Sequence, residues 1–287
     1  MYDVIIIGAG PAGISASLYI KRANLKVLVI YSDESSVEKT KKIENYYGFE
    51  NGIDGKTLYS AGIMQAQNIG VELKKEEVIQ IESQINQFKV ITEYSNYLSK
   101  SIILATGNKK NKPQIKGIDD FEGRGISYCA ICDGFFYKNK SVSVIGSGNY
   151  AIAEVNDLVP IAKDITILTN GEKEPSFRAD NVTIKKQKIR EFRGSNKVEE
   201  IVFEDNSILK TDGIFIAQGV AGSFEFSKKL GILMNKDKII VNDNMETNIK
   251  GIYACGDCTG GLYQISKAVY EGTKAGLEAI NYIRKNN

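Results

Sequence analysis

The 287-residue chain contains no histidine and no tryptophan, and only four cysteines. The missing histidine removes the Ser-His-Asp triad, the histidine–carboxylate base and imidazole metal ligation. Proton transfer near neutral pH must then use a carboxylate, a thiol, a tyrosine, a lysine or water. Long apolar runs are also missing. The first, Val4–Ile7, passes straight into glycines, too short for a signal-peptide core or a bilayer span, and no later segment reaches that length. A cytoplasmic protein with no membrane partner is expected. There is no excess of charge of either sign: 37 basic residues face 35 acidic ones, so nothing points to nucleic acid. What is present is ample apolar content, 43%, enough to bury a core in one large or two medium domains. In the cytoplasm thiols are kept reduced, so a close cysteine pair there is read as catalytic or metal-binding before it is read as a staple.

The opening reads as strand Val4–Ile7, tight turn GAGPAG, helix Ile14–Ala23 and strand Val27–Tyr31, a βαβ unit. A second such start follows near residue 141: strand Val142–Ile145, turn GSGNYA, a helical stretch Ile152–Ala162 disturbed by Pro160, and strand Ile165–Leu168. Two starts of this kind predict two dinucleotide-type domains. Further strands are expected at Ile102–Ala105, Ile214–Ala217 and Ile252–Cys255, each ending in a short glycine-containing segment. The C-terminal segment carries Ile265, Ala268, Val269, Gly272, Ala275, Gly276, Ala279, Ile280 and Ile283 on one face, an amphipathic helix. The polar stretch KKNKP at 109–113 suits an inter-domain linker, with a return crossing near Gly219–Gly222.

Three motifs carry chemistry. In GAGPAG, Gly8 permits the tight turn, Gly10 lets backbone approach a pyrophosphate, and Gly13 lets helix and strand pack closely. Asp33, near the end of the second strand, is a candidate ribose reader. In CAICDG, Cys129 and Cys132 can close a small disulfide ring, bind a metal or sit as inert thiols. A metal needs four ligands. The other cysteines, Cys255 and Cys258, lie far along the chain and no histidine can help, so a redox pair is the reading and no metal is expected. Asp133 follows directly and is the nearest plausible proton carrier, or else a turn aspartate. In ACGDC, Asp257 ends a strand where it can accept a hydrogen bond from a cofactor hydroxyl, flanked by Cys255 and Cys258, which read as small structural residues or else as a second redox pair.

Taken together, GAGPAG, ENYYGF, ATG at 105–107, CAICDGFFY at 129–137, GSGNYA at 146–151 and the Gly256-Asp257 turn resemble the low-molecular-weight flavin thioredoxin reductase family over essentially the whole chain. The resemblance implies an α/β fold of two Rossmann-like, three-layer domains. Residues 1–111 and 221–287 would form an FAD domain, interrupted by a smaller CxxC domain at 112–220. It implies that Gly8, Gly10, Pro11, Ala12 and Gly13 hold the FAD pyrophosphate. Asn45, Ala105, Thr106, Gly107, Gly256, Asp257, Gln264 and Ile265 would complete the cofactor site. Cys132 would face the flavin, Cys129 would attack the disulfide of a thioredoxin, and Asp133 would act as acid and base. A homodimer and a rotation of the small domain are implied as well.

One region departs from that pattern. An NADP site wants cations after the second strand of its βαβ unit, and this chain has Thr169-Asn170-Gly171-Glu172-Lys173-Glu174 there. Tyr150 places a bulky ring within the glycine turn, and the stretch from Asn170 to a strand near Val182 is too short for a crossover helix. The second nucleotide site is therefore expected to be degenerate. The chain is most similar to the branch that takes electrons from ferredoxin. Ferredoxin is typically acidic and would want a basic surface: Lys109, Lys110 and Lys112, Lys138 and Lys140, or Lys185, Lys186, Lys188 and Arg190. The alternatives are an NAD(P)H-dependent reductase with an unusual nucleotide site, a reductase for another disulfide partner, and a non-enzymatic flavin and thiol redox sensor.

Overall fold

The computed structural model describes residues 1–32, 35–107 and 113–286. The chain divides into two compact units, Met1–Lys109 with Gly222–Asn287, and Lys110–Ala221. The first unit opens with β1 (Tyr2–Ile7), α1 (Pro11–Arg22), β2 (Val27–Tyr31), α2 (Gly55–Asn68), β3 (Glu72–Lys75), β4 (Val78–Gln84), β5 (Gln87–Thr92) and β6 (Asn96–Leu104). The second holds α3 (Ile118–Phe121), β7 (Ile126–Ser127), α4 (Ala130–Asp133), β8 (Ser141–Ile145), α5 (Asn149–Leu158), β9 (Asp164–Leu168), β10 (Val182–Lys185), β11 (Ile189–Arg193), β12 (Glu200–Phe203), β13 (Ile208–Lys210) and β14 (Gly213–Ile216). The chain then returns to the first unit through α6 (Ser223–Leu230), β15 (Met234–Asn235), β16 (Lys238–Ile239), β17 (Ile252–Ala254) and α7 (Ile265–Lys285).

The main sheet of the first unit runs β3-β2-β1-β6-β5-β4, with β17 also on β6. Val4, Ile5 and Ile6 are buried on both faces, so β1 shows a continuous apolar run rather than alternation. Each such side chain stabilises the fold by about 1.5–3 kcal/mol. Ile7 pairs with Ile30 on one side and Leu104 on the other, so three strand ends converge where the glycine turn begins. Pro11 opens α1, its fixed φ suiting the first helical position. β6 is longer than the predicted Ile102–Ala105 because its first half pairs antiparallel with β5, through Phe88 opposite Ser99. The apolar face expected of α7 is buried from Ala268 to Ile283. It lies on α1 so closely that a Cβ on Gly272 would meet the Ala12 carbonyl oxygen at 2.0 Å.

The second unit has a parallel sheet ordered β10-β9-β8-β14-β7 and an antiparallel sheet β11-β12-β13. Its βαβ start places α5 over Asn149–Leu158, earlier than the predicted Ile152–Ala162. The glycine turn feeds Asn149 and Tyr150 into the first helical turn, and the helix stops before Pro160, which has no N–H to continue it. β9 and β10 pair in parallel with no helix between them. Both units are Rossmann-like, as expected.

Candidate active site

Two of the three glycines after β1 are dictated by packing. Gly8 sits at φ +110°, and a Cβ there would lie 2.3 Å from the Ala105 carbonyl oxygen. A Cβ on Gly13 would lie 2.0 Å from the Gly8 carbonyl oxygen. Gly10 differs: its nearest neighbour is the Ser35 hydroxyl at 3.5 Å, so its face is open. Gly10 caps α1 without a side-chain hydrogen bond. The first-turn N–H groups and the positive helix end therefore serve the same opening, which fits a pyrophosphate. Ala105 donates its N–H to the Ile7 carbonyl at 2.8 Å, and the Thr106 hydroxyl accepts from the Ser223 N–H at 3.1 Å. Gly107 follows at φ +74°. The C-terminal turn comes close as well, since a Cβ on Gly256 would touch that of Ala12 at 3.0 Å. Asn45 donates to Gln264 at 3.0 Å, immediately before Ile265 begins α7. Gly8 to Gly13, Asn45, Ala105 to Gly107, Gly256, Asp257, Gln264 and Ile265 thus all belong to the first unit. Asp33 lies outside the described residues.

The Gly256-Asp257 turn is pinned by a network absent from the sequence reading. Lys267 donates to the carbonyls of Gly256 at 2.8 Å and Gly260 at 2.6 Å, and pairs with Glu271 at 2.9 Å. Glu271 in turn accepts the Gly256 N–H at 2.8 Å. The signal that could have found it is a Lys and Glu four apart on one face of α7, over a turn with open backbone groups. Cys255 and Cys258 are free and buried. Cys258 donates weakly to the Cys255 carbonyl at 3.3 Å. Burial pushes the Cys258 thiol up to about 12 and the Cys255 thiol well above its ordinary value.

In the second unit Cys129 and Cys132 are joined in a disulfide, with Cα atoms 5.3 Å apart. Their positions are unequal: Cys129 is 2% exposed whereas Cys132 is exposed. The Cys129 sulfur also accepts the Cys132 N–H at 3.2 Å, closing the turn. Ser127 ties the pair to Asp133. Its hydroxyl donates to the Asp133 carboxylate at 2.6 Å and accepts the Cys129 N–H at 3.1 Å. The fully buried Glu154 of α5 accepts the Ala130 N–H at 2.6 Å. Burial, followed by the carboxylates of Asp133 and Asp212, raises the Tyr137 phenol above its ordinary value. Sequence reasoning missed Ser127 and Glu154. The available signal was a carboxylate on the same helical face as the buried Tyr150, Val155 and Leu158.

The second glycine turn is packed like the first. Gly146 lies at φ +152°, with the Ala217 carbonyl 2.1 Å from where a Cβ would stand. Tyr150 does not occupy that turn. It is 1% exposed and donates to the Tyr128 carbonyl at 3.0 Å, so its ring packs behind the CxxC segment. The residues after β9 serve their own backbone. The Thr169 hydroxyl donates to the Glu172 carbonyl at 2.9 Å, and the Asn170 side chain accepts the Ile189 N–H at 2.8 Å. Gly171 bonds to the Lys186 carbonyl at 2.9 Å. Of the basic clusters, Lys109, Lys110 and Lys112 lie outside the described residues. Lys138 and Lys140 are exposed, Lys140 donating to the Phe136 carbonyl at 2.9 Å. Lys186 pairs with Glu174 at 3.2 Å and Arg190 with Glu191 at 3.5 Å, which offsets part of that run's charge.

A dinucleotide cradle in one Rossmann-like unit and a Cys-x-x-Cys disulfide in the other define a flavoprotein disulfide oxidoreductase. The pyridine nucleotide-disulphide oxidoreductase family matches residues 2–272. The thioredoxin reductase of Ureaplasma parvum is 34% identical over 308 aligned positions, covering 100% of this chain and 98% of that one. An atypical thioredoxin reductase from Desulfovibrio vulgaris Hildenborough has a TM-score of 0.92 at 36% identity, covering 99% of each chain. A ferredoxin-flavin thioredoxin reductase from Clostridium acetobutylicum has a TM-score of 0.72 at 34% identity, covering 99% of this chain and 98% of that one. The chain belongs to the pyridine nucleotide-disulphide oxidoreductase family. It is a thioredoxin reductase-like flavoprotein disulfide reductase whose cofactor is FAD. Among the described residues no helix is long and apolar enough to cross a membrane.

Proposed function

We propose that the protein reduces the disulfide of a thioredoxin with electrons taken from reduced ferredoxin. The observation that carries the donor is the segment Thr169–Glu174. Where a 2′-phosphate would need cations, Thr169, Asn170 and Gly171 are bound to neighbouring backbone, and Glu174 holds Lys186. The named likeness to a ferredoxin-flavin thioredoxin reductase supports the same donor. In this reading Gly8, Gly10, Pro11, Ala12 and Gly13 hold the pyrophosphate. Asn45, Ala105, Thr106, Gly107, Gly256, Asp257, Gln264 and Ile265 complete the site. Residues 1–111 with 221–287 act as the FAD domain and 112–220 as the CxxC domain. The protein works in the cytoplasm as a homodimer.

FAD, when bound, supplies the electron pair. The chain's own residues do the rest. Cys132, the exposed sulfur of the pair, is where those electrons enter. The disulfide takes up two electrons and two protons and becomes two thiols. Asp133, oriented by Ser127, delivers and removes protons at the cysteine sulfurs. The Cys129 thiolate then attacks the thioredoxin disulfide and forms a mixed disulfide. Cys132 attacks the Cys129 sulfur, releases the thioredoxin dithiol and closes the ring again.

The NAD(P)H alternative is favoured by one feature: Gly148 caps α5 without a side-chain bond, leaving that helix end available to an anion. Anaerobic stopped-flow mixing decides between them. The purified holoprotein is followed by flavin absorbance with NADPH, with NADH, and with reduced ferredoxin, each with thioredoxin present. Bleaching by ferredoxin alone, followed by thioredoxin reduction, is expected. Rapid bleaching by either nicotinamide would refute the ferredoxin reading, and no thioredoxin reduction with any donor would leave the reductase for another disulfide partner and the redox sensor.

A further inference from the structure

A buried carboxylate stands against the redox pair. Glu154 is 0% exposed on α5, in the second unit, and α5 packs on α4. Its neighbours on the buried face of that helix are Tyr150, Ala151, Val155 and Leu158. An ionised side chain in such a place costs several kcal/mol of desolvation. It is held there by a short bond of 2.6 Å from the N–H of Ala130, the amide of the peptide that joins Ala130 to Cys129. A neutral side-chain oxygen would also accept that N–H, though less strongly than a carboxylate does. A negative charge at this position has a further consequence.

We infer that Glu154 is a positioning residue of the redox pair, whose carboxylate, seated on the Cys129–Ala130 peptide, disfavours ionisation of the Cys129 thiol and so sets how readily the reduced pair reacts. The sign follows from like charges: a carboxylate beside a forming thiolate opposes it. The titratable groups on the CxxC segment are Cys129, Cys132 and Asp133, with Tyr128 before it and Tyr137 after it, and Tyr150 and Asp157 stand on the same helix as Glu154. The strands under α5, β8 and β9, carry only Asp164 at an exposed strand end. Asp133 is engaged by Ser127, which leaves Glu154 as the carboxylate bonded to the backbone next to Cys129. The inference rests on Cys129–Cys132 being the redox-active pair and is independent of the electron donor.

The test uses the full-length holoprotein. Equilibration with dithiothreitol comes first. Each dithiothreitol gives two electrons and two protons to the disulfide and closes into its own ring. A two-electron titration of Cys129–Cys132 supports the redox reading, and its absence would overturn that reading and the inference with it. The reduced protein is then treated with iodoacetamide across a pH series, and modification of Cys129 is located by peptide mass spectrometry. Burial of Cys129 scales its rate equally at every pH, whereas the midpoint reports the thiolate. The wild-type midpoint is expected at or above about 8.5, the value of a free cysteine. A midpoint well below that would overturn the inference. Glu154→Gln keeps an oxygen for the Ala130 N–H and removes the charge. It is expected to lower the midpoint by about one pH unit, a tenfold gain in thiolate below it. An unchanged midpoint in Glu154→Gln would reduce Glu154 to a structural cap and refute the role assigned to its charge.

Discussion

Gly10 and Gly13 belong to the same turn, yet the structure assigns them different penalties. A methyl at Gly13 would meet the Gly8 carbonyl oxygen at 2.0 Å, its carbon at 3.1 Å and the Ile6 side chain at 3.2 Å. That oxygen cannot retreat cheaply, because the Gly8 N–H is bound to the Ile30 carbonyl at 2.8 Å in the centre of the sheet. Overpacking against such backbone costs about 1–3 kcal/mol or more. Gly13→Ala is therefore expected to lower the stability of the apoprotein and to weaken FAD. At Gly10 the backbone is at φ −70°, ψ −179°, open to any residue, and the nearest atom is the Ser35 hydroxyl at 3.5 Å. Gly10→Ala should leave apoprotein stability within about 0.5 kcal/mol of the wild type. The new methyl would stand where the pyrophosphate approaches, so FAD affinity should fall by one to two orders of magnitude, about 1.4–2.8 kcal/mol. Denaturant unfolding of the flavin-free proteins and fluorescence titration with FAD separate the two effects. Gly10→Ala binding FAD as tightly as the wild type would refute the assignment of that face to the phosphates.

Three further outcomes are expected. Ser127→Ala removes the donor to Asp133 and the acceptor for the Cys129 N–H. Single-turnover disulfide reduction should slow at least tenfold, part of the roughly 10²–10⁴ that a positioned acid or base contributes, with FAD content unchanged. Cys255 and Cys258 keep their protons in the folded state well past the pH at which they ionise in the unfolded chain, Cys258 to about 12. The unfolded state thus binds fewer protons above about pH 9, and stability is present below that and lost as pH rises toward 12. The loss is about 1.4 kcal/mol per pH unit for each thiol, and urea unfolding of a Cys255→Ala, Cys258→Ala double variant should show a flatter alkaline decline. Lys267→Met removes the cation paired with Glu271 and one donor from each of the Gly256 and Gly260 carbonyls, while Glu271 keeps the Gly256 N–H. The Lys267 and Glu271 side chains are 14% and 12% exposed, so the cost should fall somewhat below the 3–5 kcal/mol of a fully buried pair. Adding Glu271→Gln should recover part of it in thermal unfolding.

What was legible in the sequence is what local chemistry fixes. The run Val4–Ile7 entering glycines reads as a strand buried on both faces followed by a tight glycine turn, and the close spacing of Cys129 and Cys132 places both sulfurs on one turn of chain. The contacts that complete the site are tertiary. Asn45 and Gln264 are 219 residues apart, and Glu154 is 24 residues from the amide it holds. No local pattern announces either pair. Tyr150 was misplaced for a related reason. Read linearly, its ring falls in the glycine turn, but α5 begins at Asn149 and helical geometry turns residue 150 inward, toward the Tyr128 carbonyl.

The second glycine turn carries less information about the electron donor than its resemblance to the first suggests. Gly146 is required by the sheet whether or not a nucleotide binds, because any side chain there would strike the Ala217 carbonyl at 2.1 Å and the Ala151 methyl at 2.9 Å. A strand–turn–helix start packed this tightly demands a glycine for its own assembly. The discriminating residues are those whose only physical use would be the ligand, and after β9 they have other uses. Asn170 adopts φ +51° and its side-chain oxygen accepts the Ile189 N–H. The buried Thr169 turns its hydroxyl back on the loop. Replacing Asn170 and Glu174 by arginine would therefore supply the missing cations but break the bond to Ile189 and release Lys186. Such a double variant is expected to gain little NADPH reduction and to lose stability by about 1–3 kcal/mol for the orphaned Ile189 N–H. A gain of efficient NADPH turnover at unchanged stability would mean that the loop was open to a nucleotide all along.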